Sequence, residues 1–227
     1  FDAVGHAFTT VATGGFSTHD DSLGFYNSPL IEFIAIIFML AGGINFAVHF
    51  IVFRKKMLSP YVKDAEVRTY GLVFLLASLF VAFSLYLSHA YGTVLESLRY
   101  AAFQVASVLT STGFGTATFA SWPLHIPLIM VILSFTGGCA GSTAGGVKVM
   151  RVMLLAKLGL RQLFHLAHPR AVVVVKQGER AVSEEVLYSV WGFYVLYVVV
   201  SLFLTVAMMA AGLDLESAFG AVVATIN

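Results

Sequence analysis

Residues 95 to 114 read Leu-Glu-Ser-Leu-Arg-Tyr-Ala-Ala-Phe-Gln-Val-Ala-Ser-Val-Leu-Thr-Ser-Thr-Gly-Phe, and how this stretch is placed decides the fold. Its first fifteen residues, Leu95 to Leu109, are largely apolar and charged only at Glu96 and Arg99. That is short for a bilayer crossing, which takes about twenty residues as a helix. Two longer apolar stretches flank it, Tyr70 to Ser88 and Pro123 to Val147, and beyond those lie two charged segments, Arg54 to Thr69 and Lys148 to Glu185. The charged segments hold twelve of the thirteen Lys and Arg, so both are expected on the cytoplasmic side. Two crossings then already bring the chain out and back, and whatever lies between them must start and finish outside. The consistent solution is a short helix that dips into the membrane and returns as extended backbone. Such backbone is tolerated at membrane depth only where it lines a wet cavity walled by protein.

Composition agrees with lipid as the main solvent. The 227 residues are 59% hydrophobic and 11% charged, with a mean hydropathy of +0.88, whereas a soluble domain carries about a quarter charged residues. Four stretches are long and apolar enough to span: Pro29 to Phe53, Tyr70 to Ser88, Pro123 to Val147 and Val186 to Leu213. A net charge of +1 with Lys and Arg scattered over loops gives no nucleic-acid surface. Cys139 is the single cysteine, which excludes an intrachain disulfide or a multi-cysteine metal site. His6, His19, His89, His125, His165 and His168 show no metal-ligand spacing. The chain begins at Phe1 without a signal peptide and stops at Asn227 just after an apolar stretch, so both ends are expected to be cut.

The dipping arrangement recurs. Asp2 to Thr9 is a short apolar helix candidate followed by Thr10-Val11-Ala12-Thr13-Gly14-Gly15-Phe16, as Leu95 to Leu109 is followed by Thr110-Ser111-Thr112-Gly113-Phe114. Leu215 to Thr225 looks like a third such helix. A period of about one hundred residues reads as an internal repeat, with about two and a half units present. The expected fold is an all-α polytopic membrane protein built of repeated span, dipping-helix and span units.

A dehydrated monovalent cation needs oxygen ligands, and a pore supplies them without fixed charge by aiming backbone carbonyls inward. Hydroxyls at Thr10, Thr13, Thr110, Ser111 and Thr112 can anchor such an extended segment, while Gly14 and Gly113 can take the dihedrals that turn carbonyls to one side. The alternative is a pair of ordinary extracellular turns, which leaves Leu95 to Leu109 unplaced. A second feature is Gly137-Gly138-Cys139-Ala140-Gly141-Ser142-Thr143-Ala144-Gly145-Gly146, in the middle of an expected span. At about 1 kcal/mol per Gly the helix should break here, giving an irregular, movable segment under the filter. Close helix packing through small residues is the competing reading. The run Gly141 to Lys148 only superficially matches a phosphate loop, because Val147 separates the last glycine from Lys148 and Val149 stands where Ser or Thr belongs.

Other polar residues have plainer expectations. Glu32 and His49 near the ends of the first span should snorkel, and Asn45 beside Gly42 and Gly43 should bond another helix. Trp122, Tyr91 and Tyr100 sit where interfacial aromatics do. A cation-coupled secondary symporter with discontinuous helices is the main rival, but inverted repeats would be expected of it. A membrane-embedded enzyme would need converging ionisable groups at mid-span, and the second, third and fourth spans offer none.

With these motifs the chain resembles the Trk/Ktr/HKT potassium transporters, most closely the bacterial Trk potassium-uptake membrane subunits. The resemblance is carried by residues 10–16, 110–114, 137–148 and Ala-Thr-Ile-Asn at 224–227, and it covers essentially the whole chain. It implies four span, pore-helix and span units around one pore, with Thr10 to Gly14 (Val11 and Ala12 included) and Thr110 to Gly113 as two filter strands for K+. It also implies that Gly137, Gly138, Gly141, Ser142, Thr143, Gly145 and Gly146 form an intramembrane gating loop in the third unit. Residues 1–53 would end the second repeat, 54–69 form a cytoplasmic loop, 70–162 the third repeat, 163–185 a second loop and 186–227 the start of the fourth. Implied too are a homodimer, a cytosolic nucleotide-binding regulatory ring, a lipid surround in the bacterial inner membrane, no organic cofactor and no enzymatic activity.

Overall fold

The computed structural model describes residues 1–178 and 180–227, Ala120 by its backbone alone. These residues form two compact units, 1–148 and 149–227.

The first unit runs α1 (Asp2–Val11), a 3-10 turn (Ser22–Tyr26), α2 (Pro29–Gly42), α3 (Phe46–Lys55), α4 (Ser59–Lys63), α5 (Ala65–Leu87), α6 (Val94–Leu109) and α7 (His125–Thr136). Local chemistry sets the starts. Pro29 occupies the first turn of α2, where a missing N–H costs nothing. The Asp64 carboxylate caps α5 by accepting the Glu66 and Val67 N–H groups at 2.9 and 3.0 Å. Thr93 caps α6, accepting the Glu96 N–H at 3.2 Å and donating to the Glu96 carboxylate at 3.3 Å.

The fifteen-residue stretch is thus a helix, and it lies at the centre of its unit. α6 packs against α2, α5 and α7 and buries Ser97, Ala101, Phe103, Gln104, Val105, Ala106, Ser107 and Leu109. Phe103 and Ala106 join Leu23, Ala35, Met39 and Phe114 in one apolar cluster.

Two of the four expected spans are not continuous helices. Pro29 to Phe53 is α2 and α3, which meet at a 99° bend. Gly42 and Gly43 weaken the helix at that point by about 1 kcal/mol each, and the Asn45 side chain starts a new one by accepting the Ala47 N–H at 2.8 Å. Asn45 is therefore a helix cap, not the interhelical group expected. Pro123 to Val147 is helical only over α7, and residues 137–148 carry no helix. Among the described residues α5 and the helix Glu184–Ala210 are long and apolar enough to cross a membrane, which makes three spans if the bent pair counts as one.

The second unit contains α8 (Val149–Ala167), a hairpin of β1 (Lys176–Gln177) with β2 (Arg180–Ala181), α9 (Glu184–Ala210) and α10 (Leu215–Ile226). Leu154 and Leu158 of α8 cluster with Val175, Leu187 and Val190, and Arg161 reaches the Glu184 carboxylate at 2.6 and 3.2 Å. α9 leaves Val195, Leu196 and Phe203 exposed, an apolar surface suited to lipid. Asp214 caps α10 by accepting the Ser217 N–H at 3.1 Å, and the Ser217 hydroxyl and amide hold its carboxyl below the usual range. In each unit a long apolar helix thus leads into a short one, α5 into α6 and α9 into α10.

Candidate functional site

The turns that follow α1 and α6 have the same backbone at a shift of 98 positions, from Thr13 to Ser111 and from Gly15 to Gly113. Thr13 and Ser111 are left-handed at φ 50° and 55°, as are Gly15 and Gly113 at 66° and 84°. The Gly14 N–H donates to the Thr9 carbonyl at 2.8 Å, and the Thr112 N–H to the Ser107 carbonyl at 2.8 Å. The Thr9 hydroxyl donates to the Phe16 carbonyl at 2.9 Å, and the Ser107 hydroxyl to the Phe114 carbonyl at 2.7 Å. A hydroxyl in the last turn of each helix thus ties down the chain that returns past it. Left-handed Thr and Ser cost about 1–2 kcal/mol each, and here they turn the chain out of its helix in both copies.

This superposition shifts the register expected from sequence. Thr13-Gly14 is not the counterpart of Thr112-Gly113, because the glycine matching Gly113 is Gly15. Gly14 lies outside the left-handed region, and a Cβ there would meet only the Phe16 ring, at an ordinary 3.5 Å. A Cβ on Gly15 would instead fall inside the Thr112 carbonyl. That crowding brings the two turns together: the first packs on the second at Gly15, Thr112 and Gly113.

Hydroxyls order the flanks. Thr10 donates to the His6 carbonyl at 2.5 Å, Thr13 to the Ala12 carbonyl at 2.7 Å, and Thr110 to the Ala106 carbonyl at 2.8 Å while facing the Thr112 hydroxyl at 2.6 Å. Among the described residues no donor reaches the carbonyls of Thr13, Gly14, Thr110, Ser111 or Thr112. Backbone carbonyls are strong acceptors, so an array of them without protein partners is available to a cation or water.

Glu32 does not snorkel. It is buried, and Arg99 of α6 grips its carboxylate through Nε at 2.7 Å and Nη2 at 2.6 Å, with Asn27 also held at 3.0 Å. This pair fixes α2 to the helix that carries the second turn. His49 likewise does not snorkel; its ring bonds the Tyr61 hydroxyl at 2.6 Å and the Ala41 carbonyl at 2.9 Å.

The segment 137–148 folds back on itself, with left-handed Gly137, Gly141 and Gly146 at φ 69°, 71° and 78°. A Cβ on Gly137 would strike the Gly145 carbonyl, and one on Gly138 would crowd the Gly43 carbonyl at 2.9 Å. The segment is sewn into the α2–α3 bend: Cys139 N–H donates to Gly43 at 2.8 Å, Thr143 N–H to Gly42 at 3.2 Å, and Phe46 N–H to Gly141 at 3.0 Å. The Thr143 hydroxyl reaches the Gly42 and Val11 carbonyls at 3.1 and 3.2 Å, touching the base of the first turn. Ser142 donates to Cys139 at 2.7 Å, and the Ala140 N–H donates to the buried Glu66 carboxylate at 2.7 Å. Sequence reasoning passed over the α2–α3 bend, the Glu32–Arg99 pair and Glu66. Gly-Gly-x-Asn at 42–45 was a usable signal for the first.

The described residues therefore define a mostly helical protein with membrane-length apolar helices and two tandem Thr/Gly turns that meet beside a folded glycine segment. The chain matches the TrkH cation transport protein family over residues 1–227, and it belongs to that family. It is 44% identical to the Trk system potassium uptake protein TrkH of Salmonella typhimurium over its whole length, covering 47% of that protein. It is 36% identical to TrkG of Escherichia coli K12, again with 47% covered. The crystal structure of the potassium transporter TrkH from Vibrio parahaemolyticus superposes with a TM-score of 0.96 at 42% identity, over 99% of this chain and 48% of that one. The chain thus spans about half the length of the curated relatives it matches.

Proposed function

We propose that this chain supplies two filter strands and the gate of a pore for potassium uptake across the bacterial inner membrane. Thr10 to Gly15 and Thr110 to Gly113 are the strands, α1, α6 and α10 the pore helices, and 137–148 the gating loop, which interrupts the third unit's inner helix. The observation that carries this is the pair of matching turns whose carbonyls at Thr13, Gly14, Thr110, Ser111 and Thr112 have no donor among the described residues. A row of such oxygens can replace the water of a monovalent cation. The relatives are named as potassium uptake proteins, which favours potassium as the cation. The name Trk system fits a multi-subunit assembly, read here as a homodimer bearing a cytosolic nucleotide-binding ring.

Rubidium uptake into vesicles holding the full-length protein is the direct test. Gly113→Ser, which has room for its side chain but not the dihedral at φ 84°, should lower potassium-over-sodium selectivity more than expression. Unchanged selectivity in a well-expressed variant would remove the assignment. Deleting Gly141 to Ala144 should raise flux and leave selectivity nearly intact, and an assembled but non-conducting deletion would remove the gate.

A further inference from the structure

Three of the bonds that hold 137–148 against the α2–α3 bend join backbone to backbone. Another bond ties the segment to α5 instead, through an acidic side chain far away in sequence. Glu66 is 4% exposed, and burying a carboxylate costs several kcal/mol unless it is met by donors. Its Oε1 accepts the Ala140 N–H at 2.7 Å across 74 residues of chain. Its position in the first turn of α5 is favourable for an anion, because unpaired helix N–H groups point that way. A charge-assisted bond of this kind is roughly twice as strong as a neutral one. Ala140 immediately precedes left-handed Gly141, whose carbonyl bonds Phe46, so the grip falls on the turn of the segment that joins the bend.

We propose that Glu66 is a positioning residue that latches the 137–148 segment to the start of α5 and holds it in its folded-back state. This rests on reading the segment as a gate. Glu66 stands two residues after Asp64, the cap of α5, and inside the charged segment Arg54 to Thr69, so a pull on that segment reaches the latch within one helical turn. The latch leaves the filter carbonyls untouched, and its loss acts on opening, not on ion choice.

Cys139 is adjacent to the latched residue and fully buried, which makes it a reporter. In the full-length protein in vesicles, Glu66→Ala is expected to raise the rate of Cys139 modification by a small methanethiosulfonate at least ten-fold, read on the Cys139 peptide by mass spectrometry. Rubidium flux should rise several-fold with potassium-over-sodium selectivity unchanged. Glu66→Gln keeps a neutral acceptor and should label at a rate between the two, a graded rescue that a purely structural role would not produce. Equal labelling of folded Glu66→Ala and unsubstituted protein overturns the latch. If Glu66→Ala cannot be recovered, Glu66→Gln labelling at the unsubstituted rate overturns it instead. Faster labelling with unchanged flux keeps the latch and removes the gate reading.

Discussion

Around Thr9–Phe16 the backbone turns on a helix that is exposed along Val4, Phe8 and Val11, whereas around Ser107–Phe114 the same turn rests on α6, buried on nearly every side. The side chains differ accordingly: Ala12 stands where the second copy has Thr110, and Gly14 where it has Thr112. What survives is the last-turn hydroxyl, the left-handed Thr or Ser, the left-handed glycine and the carbonyls they orient. The two copies share a backbone shape, and residue identity recurs only where the shape depends on it. Position 14 shows the converse, since one Thr-Gly pair has the motif without the geometry.

The sharpest break of this comparison is Gly15→Ala. Gly15 is the point where the first turn meets the second, and both the positive φ and the Thr112 carbonyl oppose a methyl group. Both obstacles are backbone, which cannot swing aside as a side chain can. Rubidium uptake by the full-length protein is expected to fall by more than ten-fold. Uptake within two-fold of the unsubstituted protein would show that the two turns do not form one site.

Next in size is Arg99→Ala, which leaves the Glu32 carboxylate buried without its bidentate partner. Removing one member of a buried pair costs about 3–5 kcal/mol. Thermal unfolding should drop by several degrees, and Glu32→Gln added to Arg99→Ala should recover part of the loss, because the uncompensated charge is gone. An additive double variant would mean the pair is not coupled.

Smaller again are the two tying hydroxyls. Ser107→Ala removes a fully buried bond to Phe114 and Thr9→Val a partly exposed one to Phe16. A neutral hydrogen bond contributes about 0.5–1.5 kcal/mol net, with an added penalty for a buried carbonyl left unmet. Ser107→Ala should therefore destabilise more, by about 1 kcal/mol. The reverse order would show that burial does not separate the two copies.

Much of this was legible in the sequence because length leaves few options: fifteen apolar residues set between two longer apolar stretches were expected to be a helix of their own, and α6 is that helix. The glycine run announced where helix would stop, since its cost is local. Less legible was anything set by contact between distant segments. Glu66 reads as an ordinary first-turn acid until the Ala140 amide is brought to it, and Glu32 as a snorkelling group until Arg99 arrives from 67 residues away. The α2–α3 bend lay between, because Gly42, Gly43 and Asn45 carry a local signal that the apolar run around them hid. Register failed for a different reason: Thr-Gly occurs at both 13–14 and 112–113, and letters alone cannot say which glycine holds the positive φ.

That register gives the smallest effect and the finest test. Gly14 has an ordinary dihedral, its N–H donates to Thr9 as Thr112 donates to Ser107, and a methyl would rest against the Phe16 ring at 3.5 Å. Because its counterpart in the second turn is a threonine, the position already tolerates a Cβ in one copy. Gly14→Ala also narrows the unfolded ensemble, which stabilises by about 0.4–1 kcal/mol where the native dihedral suits alanine. Thermal stability should thus hold or rise slightly, and potassium selectivity should change far less than in Gly15→Ala or Gly113→Ser. If Gly14→Ala damaged selectivity as severely as Gly15→Ala, the left-handed glycine would not be the feature the two turns share, and the shift of 98 positions would have to be replaced by the Thr-Gly alignment.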